Sequence, residues 1–280
     1  AITAIKKHLA TDQPVIVLIH NKLLLEQWRR EIEEEIPDST VLMCGGGHTK
    51  WKSNGKLRAH TSPDLGMNRV VLTTMQTAAT DSFLNGVYGG DHLMIVADEI
   101  HQIGSPFNAR AMALESGAAL GLSATPIRYG DPEGTANIFK RFGPVLPPPI
   151  TLQDAINSGR LVNYEYHPHP VNLSEDEAEN WKKLTKQISF ELAKSKKAIN
   201  GNGGLTDNAK MLLIQRSRIA KKAQIKPGLA AGIICKAYEE GQRWLVYCED
   251  SDQLSQTMDL LAAGGLHPIK YHSGMEGDHP

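Results

Sequence analysis

Cysteine is scarce in this sequence, and what there is does not cluster. Cys44, Cys235 and Cys248 are the only three. They lie far apart, without metal-ligand spacing and without the pairing pattern of a secreted disulfide framework. Long apolar runs are missing too: none approaches the ~18 residues that a membrane-spanning helix needs. A net charge of −1 excludes a polybasic binder or an acidic tail as a description of the whole chain. No glycine-rich stretch ends in Gly-Lys-Ser/Thr, the signature of a phosphate-gripping loop. No repeat of fixed period occurs. These absences point to a reducing cytoplasm and no membrane partner. What is present, 280 residues of which 41% are hydrophobic, suits one large globular domain or two ordinary ones.

The most informative stretch is Leu93-Met94-Ile95-Val96-Ala97-Asp98-Glu99-Ile100-His101. Five apolar residues run into two adjacent carboxylates. A continuous apolar run of this length reads as a strand covered on both faces, as in a parallel sheet flanked by helices. The carboxylates then fall at the carboxyl end of the strand, where open α/β sheets bind their ligands. An acid there can hold Mg²⁺, and its neighbour can take a proton from an attacking water. A solvated turn is the plain alternative.

Strands and helices alternate around this stretch. Residues 1–10 have helical periodicity, without a cap or an initiator Met, as if cut from something longer. Pro14–His20 reads as a buried strand. Asn21 caps a helix whose apolar face is Leu23, Leu24, Trp28 and Ile32. Thr40–Cys44 is a strand broken by Gly45-Gly46-Gly47, which reads as a flexible loop. Arg69–Thr74 is a strand, Met75–Phe83 a helix, Asn108–Ser116 another. Ala119–Pro126 is a short strand running into Ser123-Ala124-Thr125-Pro126. The alternation predicts right-handed crossovers and a parallel sheet. Gly143-Pro144 and Pro147-Pro148-Pro149 form a stiff segment, and the domain boundary is placed there, between 148 and 149.

The second half predicts a helix at Leu152–Ser158, then a strand at Leu161–His167. Ser174 with Glu177 forms a capping box for a long helix. A helix follows from Asp207 to Lys222, and another from Pro227 to Gly241. Trp244–Cys248 reads as a strand, Asp250-Ser251 as a cap, and Pro268–His272 as a last strand. From Trp181 to Lys226 there are twelve basic residues against two acidic ones, Glu191 and Asp207. Arg216, Arg218, Lys221 and Lys222 are closely packed within it. A solvated face is the usual meaning of a charge run. This imbalance favours an electrostatic track for nucleic acid. Trp28 and Trp181 read as core, and the scattered histidines suggest no metal site.

Taken together the pieces resemble the superfamily II helicases, motors built from two RecA-like domains. Asp98-Glu99-Ile100-His101 is similar to their motif II in its DExH form, and Ser123-Ala124-Thr125-Pro126 to motif III. Val15 to Trp28, with Leu24-x-x-Gln27-Trp28, resembles motif Ia. Val71-Leu72-Thr73-Thr74 resembles the next nucleic-acid-facing motif. Trp244–Cys248 resembles motif IV, and Tyr271-His272-Ser273-Gly274-Met275 the segment after it. Ala155-Ile156-x-x-Gly159-x-Leu161-Val162-x-Tyr164-Glu165-Tyr166, followed by Val171-x-Leu173-Ser174, looks like the XPB-like and restriction-subunit-like group. That group is mostly DNA motors, so DNA is favoured over RNA. Motif I, with its P-loop, is absent from these residues; in the family it lies just before a helix resembling Ala1–Leu9, so it would precede Ala1, and motifs V and VI would follow residue 280.

The resemblance implies two incomplete RecA-like α/β domains, residues 1–148 and 149–280, the second with a basic helical insertion. It implies ATP and Mg²⁺ as cofactors and DNA as partner, in an ATP-dependent helicase or translocase. Alternatives are a restriction or defence motor that translocates without unwinding, and a non-catalytic binding module. Asp98 would hold Mg²⁺, through water, and Glu99 would activate the attacking water. His101 and Gln102 would link the nucleotide site to the facing domain. Ser123 and Thr125 would bond back to motif II. Asn21, Thr73, Thr74, Ser273 and Gly274 would hold phosphates of one strand, positioning it without reading sequence.

Overall fold

A computed structural model describes residues 1–63, 65–198 and 206–272. The chain divides into two compact units, Ala1–Leu161 and Val162–Pro280. The division falls later than the proline-rich segment and leaves the helix at Leu152–Asn157 with the first unit.

The first unit is an α/β domain built on one five-stranded parallel sheet. Its strands are β1 (Val15–Ile19), β2 (Thr40–Cys44), β3 (Arg69–Thr74), β4 (Gly90–Ala97) and β5 (Ser116–Gly121), in the spatial order β2-β3-β1-β4-β5. Every pairing is parallel. Side chains alternate between two cores. Ile16, Leu18, Val71, Ile95 and Ala97 face one cluster, with Trp51, Met75 and Phe83. Val15, Val17, Ile19, Leu72 and Val96 face the other, together with Ile5 and Leu9 of α1 (Ile2–Leu9) and Leu25 and Ile32 of α2 (Lys22–Glu35). Leu93, Ile95 and Val96 are at most 1% exposed. Burying each such side chain contributes about 1.5–3 kcal/mol, which is why this run becomes a central strand and not a turn.

Register brings the strand ends together. Leu18 aligns with Thr73 and with Ala97, and Ala97 with Gly121. Asp98, Asn21, Thr74 and Ser123 therefore share one edge of the sheet. α2 begins where expected, because Asn21 Oδ1 accepts from the Leu24 N–H at 2.9 Å. Its apolar face differs by one position from the expected one: Leu25 is buried, whereas Leu23 is 68% exposed.

Other corrections are local. The helix expected at 75–83 is two single turns, α4 (Met75–Ala78) and α5 (Asp81–Leu84), capped separately by Thr74 and Thr80. The segment expected as a helix over 108–116 is a 3-10 stretch, Asn108–Ala113. β5 starts at Ser116, paired with Gly90, and leaves no room for more. Two helices went unread, α3 (Lys56–Thr61) and α6 (Pro132–Phe142). α6 carries a legible start, Asp131 as cap before Pro132. The triple glycine, expected as a flexible loop, is a tight turn in which Gly45 and His48 exchange backbone hydrogen bonds of 3.0 and 3.1 Å.

α7 (Leu152–Asn157) closes the described helices of the first unit. The second unit contains α8 (Glu175–Ala198), α9 (Asp207–Lys221), α10 (Ile225–Ala237) and α11 (Ser251–Ala263). The capping box is present: Ser174 N–H donates to Glu177 Oε2 at 2.9 Å and Glu177 N–H to Ser174 Oγ at 3.3 Å. The strands expected at Leu161–His167, Trp244–Cys248 and Pro268–His272 are not formed; no strand occurs among the described residues of this unit. A strand needs both a hydrogen-bonded neighbour and a covered face. Here Val162, Tyr166, Leu245, Tyr247 and Ile269 are exposed, and the unit's apolar cluster is small: Ala231, Ile234 and Leu261 with Val246 and Leu266. A second RecA-like sheet is thus not seen among the described residues. No helix among them is long and apolar enough to cross a membrane.

Candidate nucleotide and nucleic-acid site

Asp98 follows β4, and its N–H donates to Leu18 O at 2.9 Å, which locks the strand end to β1. Its carboxylate is held at both oxygens. Oδ1 accepts from the Glu99 N–H at 3.0 Å, and Oδ2 accepts from Trp28 Nε1–H at 2.8 Å. Glu99 is left-handed, at φ 48° and ψ 53°. For a side chain with a Cβ this costs roughly 1–2 kcal/mol, so it persists only because its surroundings impose it. Ile100 supplies part of that constraint, with its N–H on Leu122 O at 2.9 Å and its side chain buried. The turn leaves the Glu99 carboxylate about half exposed and next to His101, whose Nδ1 is 3.4 Å from Glu99 Oε2.

His101 joins the two motifs. Its Nδ1 lies 3.2 Å from Ser123 Oγ, and its Nε2 is 2.8 Å from Gln102 Nε2. With the amide in this orientation, a proton on Nδ1 and a lone pair on Nε2 satisfy both contacts. Ser123 Oγ also accepts the Thr125 N–H at 3.1 Å. Ser123 therefore bonds back to motif II directly, while Thr125 reaches it only through the Ser123 hydroxyl. Arg128, which sequence reasoning missed, donates to the His101 carbonyl and to Asp131 Oδ2, the latter at 2.7 Å. The Arg128 guanidinium and the Gly134 N–H hold the Asp131 carboxyl below the usual aspartate range. Trp28 was also missed: a tryptophan on an apolar helix face looks like core until its indole partner is known.

The expected strand-binding residues fare unequally. Asn21 is exposed at the edge, its Oδ1 committed to the cap. Thr73 corrects the expectation: it is 0% exposed and its hydroxyl donates to Thr74 O, so it cannot reach a strand on the surface. Thr74 is 8% exposed and its hydroxyl is spent on Thr77 Oγ1 at 2.9 Å. Gln76, Thr77 and Thr80 line an open cleft of about 560 Å³ with Ser105, Phe107 and Asn108. Gln76 is exposed there, whereas the Thr80 hydroxyl is engaged, donating to Thr77 O at 2.7 Å. Ser273 and Gly274 lie outside the described residues.

In the second unit, Arg216 stacks over Trp181 at 5.1 Å and donates to Thr185 Oγ1 at 3.4 Å. Trp181 is half-buried beneath it. Lys221 pairs with Glu249 at 3.3 Å, and Lys222 pairs with Asp250. Arg218 is exposed. Exposed pairs of this kind are weak, of order 0–1 kcal/mol, and a phosphate can displace the carboxylate.

The donor set fits Mg²⁺ in one specific way. No group of three or more His, Cys, Asp or Glu among the described residues could form a protein cage for a metal. Mg²⁺ keeps most of its waters and is held by one or two carboxylates together with substrate phosphates; of that set, Asp98 beside Glu99 would supply only the carboxylate part.

Residues 1–128 match the family model described as type III restriction enzyme, res subunit. This part of the chain is thus similar to a superfamily II, ResIII-like ATPase core. The chain also resembles protein 055L of Frog virus 3 (isolate Goorha), named for a helicase, with 27% identity over 127 residues, 45% of this chain and 26% of that protein. It also resembles two proteins named for the DNA 3'-5' helicase Rad25. One, from Haloarcula marismortui, is 29% identical over 131 residues, 46% of this chain and 18% of that protein. The other, from Halobacterium salinarum, is 29% identical over 128 residues, 46% of this chain and 19% of that protein. The matched part thus spans about a quarter or less of these relatives. Among solved structures, the Sulfolobus solfataricus SWI2/SNF2 ATPase core in complex with dsDNA aligns at TM-score 0.37 and 14% identity, covering 94% of this chain and 61% of that one. The Pyrococcus furiosus Hef helicase domain aligns at TM-score 0.33 and 13% identity, covering 94% and 67%.

Proposed function

We propose that this chain belongs to an ATP-driven motor that moves on nucleic acid, with DNA as its track. The observation that carries the reading is the wiring of the sheet edge: Asp98 fixed at both oxygens, Glu99 held left-handed, and His101 bonded across to Ser123. Asp98 would face Mg²⁺ through water. When bound, Mg²⁺ would neutralise charge on the β- and γ-phosphates of ATP. Glu99 orients and deprotonates the attacking water. His101 and Gln102, with Ser123 and Thr125, carry a change of nucleotide state away from Asp98 and Glu99.

On the same reading, residues 149–280 begin a second RecA-like domain. Arg216, Arg218, Lys221 and Lys222 offer phosphates an electrostatic path, and Asn21, with Gln76 and Thr77, contacts one strand. The names of the haloarchaeal relatives support DNA. The restriction-subunit family model supports a second reading, translocation along DNA without strand separation. The compartment proposed is the cytoplasm, consistent with three free cysteines, one of them the buried Cys44, whose thiol burial pushes well up.

The test is DNA-stimulated ATP hydrolysis by a polypeptide that joins this chain to a phosphate-binding loop and an arginine finger. Hydrolysis is expected, and loss of it in Asp98→Ala. By itself the 280-residue chain should show none, since a finger alone can be worth about 10³–10⁵ in rate. Strand-separation and triplex-displacement assays then divide the two readings. Tight DNA binding with no hydrolysis in the joined polypeptide would leave a binding module instead.

A further inference from the structure

Trp28 is placed by α2 against the same apolar cluster as Leu120 and Leu122. An indole packed in this way usually finds some partner for its N–H. Here the partner is 70 positions away in sequence and is the acid at the centre of the proposed reaction, at 2.8 Å. The torsion that sets the plane of an aspartate carboxylate is soft and broad. One donor leaves that plane free to swing. Two donors on different oxygens, Trp28 Nε1–H on Oδ2 and Glu99 N–H on Oδ1, fix it. Each oxygen has a second acceptor position, so both remain open to a water or a cation. An indole N–H only donates and does not titrate, so it holds this orientation at any working pH.

We propose that Trp28 is a positioning residue for Asp98: its indole N–H sets the carboxylate plane that presents the free lone pairs to a hydrated divalent cation. This rests on the reading of Asp98 as the Mg²⁺-facing acid. It differs from plain packing in a checkable way, because Trp28→Phe keeps the ring and removes only the N–H. Removing a group that orients a metal ligand typically lowers metal affinity about 10–100-fold.

The experiment is heteronuclear NMR of indole N–H groups in the ¹⁵N-labelled 280-residue chain, which has four tryptophans. Trp28→Phe assigns the Trp28 signal by its loss. Asp98→Asn should shift that signal and leave the Trp51 signal in place, whose N–H donates to His48 O instead. In the polypeptide joined to a phosphate-binding loop, with a non-hydrolysable ATP analogue bound, substoichiometric MnCl₂ should broaden the Trp28 signal in the wild type and not in Asp98→Asn. Free Mn²⁺ measured by electron paramagnetic resonance should show binding about 10-fold weaker or more in Trp28→Phe. A Trp28 signal indifferent to Asp98→Asn, or Mn²⁺ affinity unchanged in Trp28→Phe, overturns the proposal and leaves Asp98 its role. A signal that follows Asp98→Asn but ignores Mn²⁺ in the wild type removes the metal-facing role of Asp98, and the proposal with it. Should Trp28→Phe be unstable, single Phe replacements of Trp51, Trp181 and Trp244 assign the other three indole signals and leave that of Trp28 by elimination, so the Asp98→Asn arm still decides.

Discussion

His101 and Ser123 are 22 residues apart in sequence, and their side chains meet at 3.2 Å between Nδ1 and Oγ. The contact exists because β4 and β5 are paired in register, Ala97 beside Gly121. The two short motifs that leave these strands are thereby delivered to one place. Arg128 closes the arrangement from the far side by holding the His101 carbonyl. A change in the electrostatic surroundings of Glu99 has a direct route, through His101, to the exposed Ala124-Thr125 turn.

Loss of the Glu99 carboxylate should separate binding from chemistry. In a polypeptide competent for hydrolysis, Glu99→Gln is expected to leave ATP binding near wild type and to lower turnover about 10²–10⁴-fold, the range for a general base. Equilibrium nucleotide binding and single-turnover rates report the two quantities. Turnover within threefold of wild type would take Glu99 out of that role.

The backbone at Glu99 can be probed apart from its carboxylate. Glu99→Gly and Glu99→Ala both delete the acid, but only glycine relieves the left-handed conformation. After glycine's larger unfolded-state entropy is subtracted, Glu99→Gly should be the more stable of the two by about 0.5–1 kcal/mol. Urea melts of the pair give the difference. Equal midpoints would mean that the turn relaxes once the carboxylate is gone.

Replacing Arg216, Arg218, Lys221 and Lys222 together by Ala should weaken DNA binding to a similar degree whatever its sequence. The slope of log K against log[salt] should become shallower by about 0.9 for each duplex phosphate that is no longer neutralised, or about 0.7 for a single strand. Since Lys221 and Lys222 are already paired with Glu249 and Asp250, adding Glu249→Gln and Asp250→Asn to an otherwise intact chain should strengthen binding. An unchanged salt slope in the quadruple variant would make these helices a solvated face.

Glu177 ties α8 to α10, since its Oε1 accepts the Gln224 N–H at 2.9 Å while Oε2 accepts the Ser174 N–H. The Ser174 N–H is the main cause that holds its carboxyl below the ordinary glutamate value of 4.5, and the Gln224 N–H adds to it. A depressed folded-state value means that this contribution is complete above the unfolded value and disappears as pH falls through the folded one. Glu177→Gln should therefore destabilise the second unit at pH 7 and cost progressively less as pH drops below 4.5. Melts of both forms from pH 7 to pH 3 test the sign. A penalty that grows toward acid would contradict it.

Sequence alone determined the parallel sheet, the strand that carries Asp98 and Glu99, and most helix starts. Strands covered on both faces must be apolar throughout, and helix caps such as Asn21 and Ser174 act within three residues, so both leave local marks. The tertiary structure decided what those marks could not. Trp28 on Asp98, His101 on Ser123 and Arg128 on the His101 carbonyl depend on the order β2-β3-β1-β4-β5, which no local pattern encodes. Burial likewise overruled Thr73, a hydroxyl at the expected edge that the packed sheet turns inward. The alternating residues at 161–167 and the continuous apolar run at 244–248 have the patterns of strands yet form none, because a strand requires a paired neighbour as well as a pattern.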